Sequence, residues 1–263
     1  MDYNSLHIVD YIIIILSLII MIGVGLRFSK KQNSTSQFFS AGGNVPAWAI
    51  GMSIFATLIS SITFLAYPGA GFGSNWILLV QGIMVPLTVL LIIPFIVPLY
   101  RNVIGLSAYE YFEKRFGYFA RAYSSIGFIF AHFSKMGSVF FILALAVSSM
   151  TGIDTYTVII VLGIAVVLLT LFGGMEAVIW LDVIQGFLLI IGGLIALTFI
   201  IVNMEGGLGA ILDIAGENNK INLGPFDWDF VNLTFWVMAI NGVFYAIQKY
   251  GTDQTIVQRY LKI

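Results

Sequence analysis

Long apolar runs are the feature that most constrains the fold of this chain. About seven of them approach the roughly 20 residues that a helix needs to cross the hydrocarbon core of a bilayer. We place these spans near Ile8–Leu26, Ala47–Ala66, Trp76–Tyr100, Ala122–Met150, Tyr156–Phe172, Ala177–Val202 and Phe230–Ala246. Hydrophobic residues make up 59% of the 263 residues and charged residues only 10%, which is outside the usual range of soluble proteins. The sequence therefore predicts an all-α, polytopic membrane protein.

The distribution of charge predicts the orientation of these spans. Nine of the twelve Lys and Arg residues lie in loops that alternate onto one side: Arg27, Lys30, Lys31, Arg101, Lys114, Arg115, Arg121, Arg259 and Lys262. The opposite loop, Asn203–Asp229, carries five acidic residues against Lys220 alone. Because basic loops stay in the cytoplasm, we predict a multi-pass plasma-membrane protein with its N-terminus outside. Asp2 and Asp10 come before the basic residues, the reverse of a cleaved signal peptide.

One carboxylate stands inside an apolar run. Asp182 lies six positions into the stretch that begins at Ala177 and continues to Val202 with no other charge. A charge within a span costs about 2.5–3.5 kcal/mol even on insertion scales, so it usually faces a cavity and a partner. No Arg or Lys lies within one helical turn of Asp182 along the chain. A cation or a proton is therefore the expected partner, and ion-coupled transport is the first functional hypothesis.

The second span is rich in hydroxyl groups, and its flanking residues weaken a helix. Its hydroxyl residues are Ser53, Thr57, Ser60, Ser61 and Thr63, with Gly51 and Pro68 at the flanks. A discontinuous helix in the middle of a membrane exposes backbone carbonyls that can bind sodium. A row of Ser and Thr that joins two helices by hydrogen bonds is the alternative. The spacing alone leaves both interpretations open.

Several function classes are excluded or unsupported by composition. The chain has no cysteine, which excludes disulfide frameworks, thiolate catalysis and cysteine metal sites within it. Its formal net charge of −1 does not indicate nucleic-acid binding. Its two histidines cannot build a histidine-rich metal site. No span carries paired carboxylates or a nucleophile with a base, so we expect no enzyme.

Three motifs in order along the chain resemble the sodium/solute symporter family, which includes sodium/galactose, sodium/proline and sodium/sialic acid carriers. They are Asn-Val-Pro-Ala-Trp-Ala-Ile-Gly at 44–51, Gly-Gly-Met-Glu-Ala-Val-Ile-Trp-Leu-Asp-Val-Ile-Gln at 173–185 and Gly-Thr-Asp-Gln-Thr-Ile-Val-Gln-Arg-Tyr at 251–260. The run Ala-Thr-Leu-Ile-Ser-Ser-Ile-Thr at 56–63, together with Gln81, looks closest to sodium/sialic acid symporters.

The resemblance implies a LeuT-like inverted-repeat transporter fold within one transmembrane domain, residues 1–263. An extra N-terminal helix (8–26) would precede the first five-helix repeat (47–202), and the second repeat would begin within 230–263. On this reading the chain stops after the first helix of the second repeat. We expect such a segment alone to be insufficient for coupled uptake.

The resemblance also implies two sets of binding residues. Sodium would be held by the backbone carbonyls of Ala56 and Ile59, with Asp182 at a second sodium site or linking the first to the cytoplasmic exit. The substrate neighbourhood would comprise Thr57, Ser60, Ser61, Thr63, Gln81 and Lys135. In sialic acid carriers the position matching Lys135 is Arg, whose planar fork binds a carboxylate bidentately, whereas Lys offers only a point charge. The structural alternatives are a helix-start acid for Asp182 and a snorkelling side chain for Lys135.

The function implied is sodium-coupled import of a small polar solute by alternating access. The expected substrate is a sialic acid or related sugar acid, and the expected partners are sodium and the lipid bilayer. The alternatives are a symporter of neutral sugars or other organic solutes, and a non-transporting sensory membrane module of the same fold.

Overall fold

Helices dominate the described chain. The computed structural model describes residues 7–29, 38, 45–60, 62–103 and 107–260, and these contain helices, turns and loops but no strand, as an all-α protein requires. In chain order the helices are α1 (Ile8–Ser29), α2 (Ala47–Leu58), α3 (Tyr67–Gly73), α4 (Ile77–Val103), α5 (Ala108–Phe116), α6 (Tyr118–Thr151), α7 (Thr155–Asn203), α8 (Gly207–Glu217), α9 (Phe235–Thr252) and α10 (Gln254–Tyr260). A π-helical segment, Ile62–Ala66, leads directly into α3.

Four described helices, α1, α4, α6 and α7, are long and apolar enough to cross a membrane. A fifth candidate is the pair formed by α2 and the helical stretch Ile62–Gly73, which passes the same test as one broken span. Five of the seven predicted spans fall almost wholly on helical backbone, whereas the second is interrupted and the last begins before its helix. The second span is interrupted, as one of its two open interpretations requires: α2 ends at Leu58 and Ile59 adopts extended backbone (φ −84°, ψ 129°).

Helix α7 contains two of the predicted spans, Tyr156–Phe172 and Ala177–Val202. Its 49 residues would extend about 73 Å at 1.5 Å per residue, far beyond the ~30 Å of a hydrocarbon core. Helical geometry is broken at Gly174, whose φ of 59° and ψ of −165° lie outside the helical region. A side chain is strained at this φ, so glycine at 174 permits the break between the two halves.

The last predicted span, Phe230–Ala246, is wrong in its limits. Helix α9 begins only at Phe235 and continues to Thr252, where its sequence becomes polar. The start is set by Thr234, whose side chain accepts a hydrogen bond from the Val237 N–H at 3.3 Å. Before it, the Asp229 carboxylate accepts from the Asn232 side chain at 2.6 Å, which holds the pKa of Asp229 below its ordinary value. Helix α9 is not among the helices that qualify as spans by length and apolarity.

Tertiary contacts divide the chain into two compact units that alternate along the sequence. The first comprises residues 1–62, 116–186 and 262–263, and the second comprises 63–115 and 187–261. In the first unit α1 packs closely on α7, since a Cβ on Gly173 would lie 3.2 Å from the Gly25 Cα. In the second unit α4 packs on α9 around a buried cluster of Ile77, Val80, Met238 and Ala239.

Candidate functional site

Helix α2 packs against α7 in the first unit through a small apolar core. Ala49 and Ile50 of α2 and Ile179 and Val183 of α7 are buried together with Val45. The rings of Trp48 and Trp180 meet edge to face, with centroids 5.9 Å apart. A helix periodicity of 3.6 residues places Asp182 on the same side of α7 as Ile179, which lies three residues before it. The core therefore presents the Asp182 carboxylate to α2.

A buried hydroxyl of α2 meets that carboxylate. The Ser53 Oγ donates a hydrogen bond to Asp182 Oδ2 at 2.6 Å, and Ser53 is 0% exposed. A hydrogen bond from a hydroxyl to an ionised carboxylate is short and stronger than a neutral one. One turn further along α2, Thr57 Oγ1 lies 3.4 Å from the same oxygen and 2.7 Å from the Ser53 carbonyl oxygen. Asp182 thus accepts a short hydrogen bond from Ser53 and lies near Thr57, both on the helix that carries the predicted sodium-binding carbonyls.

The predicted carbonyl ligands lie at the C-terminal end of α2. Ala56 belongs to its last turn, and Ile59 is the first residue after it. The Ile59 N–H still bonds to the Phe55 carbonyl at 3.3 Å, and the chain then leaves helical geometry. The last carbonyls of a helix have no intrahelical N–H partner, so carbonyls at this point can coordinate a cation. Ala56, Ile59 and Asp182 all belong to the first unit.

The predicted substrate residues divide between the two units. Thr57, Ser60 and Lys135 lie in the first unit, where Ser60 is half-buried and Lys135 is exposed on α6. Ser61 lies outside the described residues. Thr63 and Gln81 belong to the second unit and are half-buried.

Gln81 lies where α4 crosses α9. A Cβ on Gly242 would lie 3.1 Å from the Gln81 carbonyl oxygen and 2.7 Å from the Met84 Cβ. Glycine at 242 therefore allows the two backbones to approach closely. This contact fixes the backbone of Gln81, one of the predicted substrate residues.

A largely apolar groove along α9, with three polar side chains in its lining, was not predicted. It has a volume of about 510 Å³ and is lined by Phe230, Val237, Ile240, Asn241, Phe244, Tyr245 and Gln248. Asn241 stands alone in the apolar stretch Val237–Phe244, and an amide in such a stretch is a signal that could have been read from the sequence. Tyr245 and Gln248 follow at helical spacing on the same side of α9.

The motif at 251–260 forms a buried corner between α9 and α10. Asp253 is 3% exposed and pairs with Lys249, with 2.5 Å between Nζ and Oδ2. Its other oxygen accepts hydrogen bonds from the Thr255 N–H at 3.0 Å and hydroxyl at 2.6 Å. Burial opposes ionisation here, but the bonds from Lys249 and Thr255 and the Lys249 charge outweigh it and hold the pKa of Asp253 below its ordinary value.

The same corner reaches two other elements of the second unit. The Tyr100 hydroxyl at the end of α4 donates to the Gly251 carbonyl, and the Gln254 side chain accepts from the Ala108 N–H at 2.7 Å. Burial and then the negative charge of Asp253 raise the pKa of Tyr109 above its ordinary value. The motif therefore fastens the end of α9 to α4 and α5.

Comparisons with known proteins agree with the resemblance. The profile of the Sodium:solute symporter family matches residues 38–262. The sodium/sialic acid symporter NanT of Aliivibrio fischeri is 32% identical over 99% of this chain and 52% of its own length. SiaT of Proteus mirabilis, also a sodium/sialic acid symporter, is 32% identical over 99% of this chain and 53% of its length. The chain thus spans about half the length of the curated relatives it matches.

A solved structure shares the fold. A Na⁺-coupled sialic acid symporter in a substrate-bound, outward-open state matches with a TM-score of 0.93 and 32% identity, over 97% of this chain and 54% of the other. The LeuT-like fold class is therefore confirmed. The relatives are transporters, in agreement with the expectation of a carrier rather than an enzyme. This chain is a multi-pass membrane protein and belongs to the sodium:solute symporter family.

Proposed function

We propose that the protein carrying this chain is a sodium-coupled symporter that imports a sialic acid or a related sugar acid by alternating access. The observation that carries the proposal is the Asp182 carboxylate, held by Ser53 beside the interrupted end of α2. A carboxylate and helix-end carbonyls are oxygen ligands of the kind that hard cations such as sodium take. The relatives named as sodium/sialic acid symporters support the same ion and substrate.

Sodium entry would supply the energy for uptake. At a membrane potential of 100 mV each sodium contributes about 2.3 kcal/mol, and a tenfold gradient adds about 1.4 kcal/mol. One ion could therefore support accumulation of several hundredfold, and two ions roughly the square of that. If Ala56 and Ile59 hold one ion and Asp182 a second, this chain contributes to both sites.

The substrate assignment is a separate step of the proposal. Lys135 would supply a positive charge for a carboxylate, while Thr57, Ser60, Ser61, Thr63 and Gln81 would hydrogen-bond the polar atoms of the sugar. A binding assay on the full-length protein in saturating sodium tests this assignment. N-acetylneuraminic acid should displace a labelled sialic acid, whereas galactose should not. Displacement by glucose or galactose alone would replace the assignment with a neutral-sugar symporter.

The orientation and repeat boundaries are also proposed. The N-terminus would lie outside the cell, with 8–26 as an extra helix, 47–202 as the first five-helix repeat and 230–263 as the start of the second. The chain holds no cysteine, so introduced cysteines report topology cleanly within it. In intact cells a membrane-impermeant maleimide should label Asn218→Cys in the loop after α8 but not Lys114→Cys on α5. The reverse pattern would invert the topology.

A further inference from the structure

The contact between Ser53 and Asp182 joins helices that are far apart in sequence. The two residues are 129 positions apart, and the distance between Ser53 Oγ and Asp182 Oδ2 is 2.6 Å. Ser53 is fully buried, so water does not compete for its hydroxyl. Its hydroxyl proton is committed to a carboxylate in a place where the bond is stronger than it would be in water.

The packing around this contact restricts the relative motion of the two helices. A Cβ on Gly186, one turn beyond Asp182, would lie 2.7 Å from the Met52 Sδ and 3.5 Å from the Ala56 Cβ. The close approach places Met52 and Ala56, which flank Ser53 on α2, directly against α7. The two helices therefore approach each other closely beside Ser53, which keeps its hydroxyl near the carboxylate.

Thr57 has a different role at the same carboxylate. A hydroxyl has a single proton to donate, and Thr57 Oγ1 lies 2.7 Å from the Ser53 carbonyl oxygen but 3.4 Å from Asp182 Oδ2. The shorter distance assigns the Thr57 proton to the Ser53 carbonyl. Of these two hydroxyls, Ser53 is the principal donor to the carboxylate, and its carbonyl also holds the turn that carries Ala56.

We propose that Ser53 is a positioning residue for sodium: it fixes the Asp182 carboxylate relative to the end of α2. This inference rests on the proposed sodium-coupled function and names a residue that acts through Asp182. Loss of the hydroxyl leaves the carboxylate charge in place but removes the short hydrogen bond from α2 that helps to orient it. Sodium binding then weakens although every proposed ligand is still present.

Binding of ²²Na⁺ to the purified full-length protein, without any organic substrate, tests the proposal. Ser53→Ala should raise the half-saturating sodium concentration by about tenfold, the scale of one hydrogen bond to a charged group. Ser53→Cys replaces the hydroxyl with a slightly larger thiol that is still a weak donor, so its value should fall between those of the wild type and Ser53→Ala. Thr88→Val is the matched control, because Thr88 is 6% exposed and its hydroxyl bonds to the Met84 carbonyl of its own helix.

A double substitution separates positioning from simple helix packing. In an Asp182→Asn background, Ser53→Ala should change half-saturation by less than twofold, because the group it positions has lost its charge. A merely structural role predicts lower thermal stability with unchanged sodium half-saturation, and that result would overturn the proposal. If Ser53→Ala does not fold, Ser53→Cys provides the test. A half-saturating sodium concentration equal to that of the wild type in Ser53→Cys would also overturn the proposal. Absence of ²²Na⁺ binding in the wild type would instead refute the sodium coupling itself, and this inference with it.

Discussion

Asp253→Asn removes one charge from a buried ion pair and should strongly destabilise the protein. The Lys249 side chain is 13% exposed and the Asp253 side chain 1% exposed, with 2.5 Å between their charged atoms. Breaking a buried pair from one side costs about 3–5 kcal/mol, because the remaining charge stays buried. Asn keeps an oxygen for the Thr255 N–H, so we expect about 3 kcal/mol.

The chain offers a matched control for this measurement. Glu110 and Lys114 form another acid–lysine pair at a spacing of four, 2.9 Å apart, but their side chains are 29% and 54% exposed. Glu110→Gln should therefore cost only about 0.3–0.5 kcal/mol. Unfolding of the full-length protein in dodecyl sulfate, followed by circular dichroism, compares the two variants. An equal loss of stability in both variants would refute the argument that burial makes the Lys249–Asp253 pair important.

The stabilisation by the Asp253–Lys249 pair should also depend on pH in a definite direction. The pKa of Asp253 is lower in the folded protein than its ordinary value, so the folded state favours the ionised carboxylate. The stabilisation is complete above the unfolded pKa of about 3.9 and is lost as pH falls through the folded pKa. The difference in stability between the wild type and Asp253→Asn should be constant from pH 5 to 8 and shrink below about pH 4. A difference that grows on acidification would contradict this assignment.

Three further predictions concern the full-length protein. Asp182→Asn should lower the Hill coefficient for sodium toward one while substrate recognition largely survives; an unchanged sodium dependence in uptake assays would make Asp182 a structural acid. Lys135→Ala should weaken binding of N-acetylneuraminic acid by about tenfold or more and leave a neutral analogue little affected, as competition assays would measure. Gly242→Ala should cost about 1–3 kcal/mol in unfolding experiments, because its Cβ would overlap the Met84 Cβ. Gly127→Ala, with open space at its Cβ, should instead stabilise α6 by up to about 1 kcal/mol, and equal effects would contradict the packing argument.

The helices could be predicted well because bilayer thickness fixes the length of apolar runs. The break in α2 could be suspected from clustered hydroxyls, but the spacing did not decide between a break and a row of joining hydroxyls. The structure shows both, since α2 ends at Leu58 and Ser53 bonds to α7. The start of α9 was missed because apolarity begins at Phe230, whereas the Thr234 cap decides where the helix starts.

Most features that could not be predicted from the sequence depend on contacts between segments that are distant along the chain. Ser53 could be placed one turn from Thr57 on α2, but its partner 129 positions away depends on how α2 packs on α7. The spacing of Lys249 and Asp253 was visible, whereas their burial depends on Tyr100 and Ala108 of other helices. Local periodicity specifies a face, and tertiary packing decides what that face touches.

Sodium-driven uptake into proteoliposomes tests the central claim most directly. The full-length protein should accumulate labelled N-acetylneuraminic acid when an inward sodium gradient is imposed, and an inside-negative potential should increase the accumulation. Replacing external sodium with potassium should abolish it. Accumulation that persists without sodium, or that follows an imposed proton gradient instead, would contradict the account.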